Sequence, residues 1–79
     1  MEKPTNLTTT IGFDLNKTSQ VTLKVINILS EEVATLVSDR LNAGSYNYKW
    51  DAGNQARGLY LCQLQVGAFT QMKKMMLFE

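Results

Sequence analysis

Apolar residues fall on every second position in one short segment after another, and this period of two constrains the fold more than any other feature. From Thr8 to Leu15, Ile11, Phe13 and Leu15 are separated by Gly12 and Asp14. After the polar turn Asn16-Lys17-Thr18-Ser19, Val21, Leu23 and Val25 alternate with Thr22 and Lys24. Successive side chains of an extended chain point to opposite faces, so the pattern predicts two half-buried strands, most simply joined as a hairpin. Tyr46, Tyr48 and Trp50 repeat the period after the turn at Asn42-Ala43-Gly44 and predict an aromatic core wall.

The remaining segments extend the pattern. Ile26-Asn27-Ile28-Leu29 and Val33-Ala34-Thr35-Leu36-Val37 flank Ser30-Glu31-Glu32, which predicts two buried strand segments around a tight turn. The stretch 31–37 also has helical spacing, but its brevity and β-branched content favour a strand. Residues 51–58 form the main loop, and 59–66 is apolar on both faces, as expected of a strand inside a sheet. Gly67-Ala68 is short enough for a hairpin turn, and the last strand, 69–78, carries Met72, Met75, Met76 and Phe78 around Lys73-Lys74. Six strands, with a seventh near Leu41, predict an all-β, immunoglobulin-like antiparallel β-sandwich of six to seven strands. Residues 1–7 read as a lead-in and 8–79 as a single domain.

Composition narrows the function. Seventy-nine residues suffice for one domain, whose small core must be well packed. Eight basic residues oppose seven acidic ones along the chain, so no basic field is present to hold nucleic acid. No apolar run approaches the roughly 20 residues that span a bilayer as a helix. Cys62 is the only cysteine and shares a face with Tyr60 and Leu64, the place of a small buried hydrophobe. No histidine occurs, which removes Ser-His-Asp and Cys-His nucleophile systems and the commonest zinc sites. Asp14, Asp39 and Asp51 are isolated acids at strand ends and turns, where they bond to local backbone. Glu31 and Glu32 point to opposite sides of an extended chain and suit solvent better than a shared cation. The single glycines form no phosphate cradle, and the glycosylation patterns at Asn6 and Asn16 are short enough to arise by chance. The expectation is a protein that is not an enzyme and needs no cofactor or metal.

In order along the chain, Thr9-Thr10-Ile11, Val21-Thr22-Leu23-Lys24-Val25, Ile28-Leu29-Ser30-Glu31-Glu32-Val33, Ala43-Gly44, Trp50-Asp51, Gly58-Leu59-Tyr60 and Lys73-Lys74-Met75 form a set. As a set, extending from Pro4 to Leu77, it resembles the C-terminal sorting domain of type IX secretion cargo. The architecture is also similar to the immunoglobulin-like domain of the flagellar hook-capping protein, a scaffold. Against the sorting family, Lys3-Pro4-Thr5-Asn6-Leu7 replaces an Asn-Pro-Phe-Asn-Pro-like lead-in, Ser30 stands where glycine is usual, and Glu79 where lysine is common.

The resemblance implies a non-catalytic secretion signal covalently preceded by a larger cargo protein. It implies export through the periplasm to the bacterial cell surface or beyond, by recognition at outer-membrane components of the secretion system. Gly58, Tyr60, Lys73, Lys74 and Met75 are the positions that match the family's recognition element. A competing reading of the same sandwich is a structural or spacer module that forms a homodimer through its last strand. Lys73 and Lys74 lie on opposite faces of that strand, where they serve either a partner or the protection of a free sheet edge.

Overall fold

In the computed structural model, which describes residues 8–53 and 55–77, the side chains of Val21, Leu23 and Val25 are wholly shielded from solvent. The strand that carries them, β2 (Ser19–Asn27), is flanked on one side by β3 (Glu32–Leu41) and on the other by β5 (Gly58–Val66). β6 (Phe69–Leu77) completes an antiparallel sheet of order β3-β2-β5-β6. The apolar residues 59–66 therefore form an interior strand, as their two apolar faces predict. A second sheet holds β1 (Thr8–Leu15) and β4 (Gly44–Asp51), paired from Thr8 opposite Asp51 to Leu15 opposite Gly44. The chain is thus an all-β sandwich of six strands among the described residues, without helix. The proposed lead-in, residues 1–7, lies outside the described residues, as do Asn54, Phe78 and Glu79.

β1 and β2 do not form the expected hairpin. Residues 16–18 carry the chain from the small sheet to the large one, and β1 pairs with β4. The aromatic residues account for this choice. In that register Phe13 lies opposite Tyr46, their ring centroids 5.5 Å apart, and 6.0 Å from Tyr48, so three rings stack on the inner face. Leu41 is the last residue of β3 and starts no seventh strand. The helix-like spacing of 31–37 has a cause as well. The β2–β3 register shifts between Leu23 and Lys24 and again between Val25 and Ile26, leaving Leu36 and Val33 as extra residues on β3. Such bulges break the period of two without leaving the sheet.

Trp50, Tyr60, Val25, Ala52 and Leu77 form the buried cluster, with the Trp50 and Tyr60 rings edge to face at 5.2 Å. Two tyrosines also fasten connections between the sheets. Tyr46 Oη donates to the carbonyl of Asn42 at 2.6 Å, and Tyr60 Oη donates to that of Ala56. Each bond reaches back four residues from the start of a strand, the arrangement known as the tyrosine corner of immunoglobulin-like sandwiches.

Ile28 and Leu29 are not strand residues in a core. They lie in the β2–β3 turn and are 68% and 73% exposed. Asn27 organises this turn: its Oδ1 accepts from the backbone N–H of Leu29 and of Glu31, both at 2.9 Å, and its Nδ2 donates to Glu31 Oε1 at 2.8 Å. Ser30 has φ 68°, a value that glycine adopts without strain and serine does not.

Candidate recognition strand

β6 is built as an edge. Among the described residues its one neighbour is β5, from Val66 opposite Phe69 to Gly58 opposite Leu77. The connection is the two-residue turn Gly67-Ala68, in which Gly67 has φ 59° and Ala68 a negative φ. Glycine at the first central position matches the strong twist of a tight hairpin. The outward edge of β6 leaves N–H and C=O groups available for another strand.

Antiparallel partners share a face, so the register assigns each β6 side chain a side. Lys73 lies opposite Cys62 on the inner face, and Lys74 opposite Leu61 on the outer one. The expectation that the two lysines face opposite ways therefore holds, and both are exposed. Neither makes an ion pair among the described residues, where Lys24–Glu32 at 3.5 Å is the salt bridge present. Met75, opposite Tyr60, is half-buried against the core cluster, whereas Met72 and Met76 are exposed on the outer face.

The five matching residues come together at the β5–β6 ladder but offer different surfaces. Gly58 has φ 142° with no atom near the place of a Cβ, so its backbone angle rather than crowding demands glycine. Tyr60 is 5% exposed, with its hydroxyl committed to Ala56; in the folded domain it is a packing residue. Lys73, Lys74 and the exposed flank of Met75 remain for a partner. Cys62 is a buried free thiol as expected; burial pushes its pKa up, and the charge of nearby Lys73, the smaller influence, opposes the shift.

Two of the isolated acids bond local backbone as expected: Asp51 Oδ1 accepts from Gly53 N–H at 3.0 Å and Asp39 Oδ1 accepts from Arg40 N–H at 2.7 Å. Asp14 does not, because its Oδ1 accepts from Ser45 Oγ at 2.7 Å, its partner across the β1–β4 ladder. Among the described residues no three His, Cys, Asp or Glu side chains are grouped to hold a metal ion. The role of Asn27 in shaping an exposed apolar turn escaped sequence reasoning. Its signal was an asparagine two residues before Leu29 and four before Glu31, at the end of an alternating run.

The family model for the secretion system C-terminal sorting domain matches residues 3–77. The chain belongs to that family. No curated protein and no solved structure matches it. A sorting domain of type IX secretion is a signal, in a family that is in general non-catalytic. It implies a preceding cargo protein, a secretion system that reads the tail, and export of the cargo to the surface or the medium. Among the described residues of this sorting domain no helix is long and apolar enough to cross a membrane.

Proposed function

We propose that this domain is a folded export address, read at the outer-membrane components of the type IX system, that routes a covalently attached cargo to the cell surface. Family membership over residues 3–77 carries the reading. Supporting the reading as a means of recognition is a β6 edge open to backbone pairing, with Lys73 and Lys74 on its two sides, neither in an ion pair among the described residues, and Met75 between core and solvent. Gly58 and Tyr60 act indirectly, the first by permitting the entry to β5 and the second by holding that strand to the core.

Fusion of the domain to a reporter bearing an inner-membrane export signal tests this in a type IX host. The intact fusion should reach the medium or the cell surface. Lys73→Ala/Lys74→Ala should leave the domain folded and retain the reporter in the periplasm. Unchanged secretion of that double variant would remove the lysines from the recognition element; periplasmic retention of the intact fusion would overturn the address itself.

The spacer reading has one supporting observation, the exposure of Met72 and Met76 beside the open edge. It predicts a homodimer through β6, seen as doubled mass in light scattering over a concentration series.

A further inference from the structure

The two sheets are unequal, and the inequality leaves a space of definite shape. A cavity of about 510 Å³ lies between them, and a second of about 250 Å³ continues it. On the small-sheet side the lining is residues 11–15 in the first and 9–12 in the second, consecutive residues of β1. Consecutive residues include both faces of a strand, so the space runs along the strand's edge and not over one face. Among the described residues β1 has β4 as its single neighbour, and this edge is the unpaired one. On the large-sheet side the main cavity takes alternate residues: Cys62 and Leu64 of β5, then Phe69, Gln71 and Lys73 of β6. These lie on the inner face, which in a closed sandwich would be covered. Here Phe69 is 61% exposed.

An open strand edge along one wall and an uncovered inner face along the other define the place of one more strand. A strand paired to β1 would sit about 4.8 Å from it, and roughly 10 Å above the large sheet. It would cover Phe69 and the inner flank of β6. The space also has a charge preference. Among the described residues, Lys17 and Lys73 line it without an ion pair, and the one acid of the lining, Asp14, already accepts from Ser45.

We infer that the gap between β1 and β6 is an acceptor slot for an extended peptide strand of a partner protein, with apolar residues at every second position and a carboxylate placed to meet Lys73. The strand pairs with β1, turns its apolar side toward Leu64 and Phe69, and makes the small sheet three-stranded. This site takes the inner flank of β6 and the free edge of β1, not the outward edge of β6 invoked for export, and Lys73 is common to both.

Two synthetic eight-residue peptides test it, each alternating threonine with an inward-facing residue, the four inward residues being three valines and either one glutamate or one lysine. They are titrated into the 79-residue chain while amide shifts and hydrogen exchange are followed by NMR. The glutamate peptide should protect amides of residues 9–15, shift Phe69 and Lys73, and bind at least about threefold tighter than the lysine peptide. Lys73→Glu, an exposed substitution, should reverse that order at an unchanged thermal midpoint. Protection confined to β6, equal binding of both peptides, or no binding would overturn the inference. Slow exchange of β1 amides without peptide, together with a dimeric mass, would also overturn it, because a second copy would then fill the slot.

Discussion

Ser30 is the residue at which local chemistry and fold are most plainly in conflict. A serine at φ 68° carries a penalty of roughly 1–2 kcal/mol that glycine avoids. Ser30→Gly should therefore stabilise the domain by about 0.5–1 kcal/mol, after allowing for the added freedom of the unfolded chain. The urea midpoint reads this directly, and a lower midpoint would contradict it. Cys62 supplies a pH dependence. Burial raises its pKa above the ordinary 9.0, so above that pH the unfolded chain loses the thiol proton before the folded one does. This contribution is fully present below pH 9 and is lost as pH rises through the folded value. The midpoint of the intact domain should fall more steeply as pH rises above 9.0 than that of Cys62→Ala, although the latter starts lower because it leaves a small cavity.

Among the elements, the β2–β3 turn depends on Asn27 more than on the apolar residues at its tip. Asn27→Ala removes three side-chain hydrogen bonds and should cost about 1–2 kcal/mol, with faster amide exchange at Leu29 and Glu31 as the local sign. Unchanged exchange there would mean that the backbone alone holds the turn. Strands with strict alternation, β1, β2 and β4, were legible because one face is buried and the other is wet. β5 was legible as an interior strand because both of its faces are apolar. Bulges at Leu36 and Val33 blurred β3 toward a helical period. The pairing of β1 with β4 was not legible, since it depends on the fit of Phe13 between Tyr46 and Tyr48, residues more than thirty positions away. The lysine pair of the candidate site could be placed from alternation alone, whereas the commitment of Tyr60 to Trp50 and Ala56 required the folded chain.

At the scale of the molecule, the last strand is both exposed edge and structural member. Leu77 is in the core cluster and Met75 packs on it, so removal of residues 72–79 takes away core as well as surface. That truncation should abolish cooperative unfolding and the near-ultraviolet circular dichroism of Trp50 and Tyr60; a retained sigmoidal transition would show that β6 is dispensable to the fold. For the same reason, loss of secretion on truncation would not by itself identify a recognition element, and the lysine variants bear that weight. The strand order gives the ladder a further meaning. β2 acquires its second neighbour only when β5 has been made, and the cluster closes only with Leu77 near the chain's end. Synthesis proceeds from the other end, and non-local pairing must wait for its partner. A chain that stops before β6 carries the opening strands without the closing one and cannot complete the core cluster. The sandwich thus makes synthesis of its last strand a condition of its own folding.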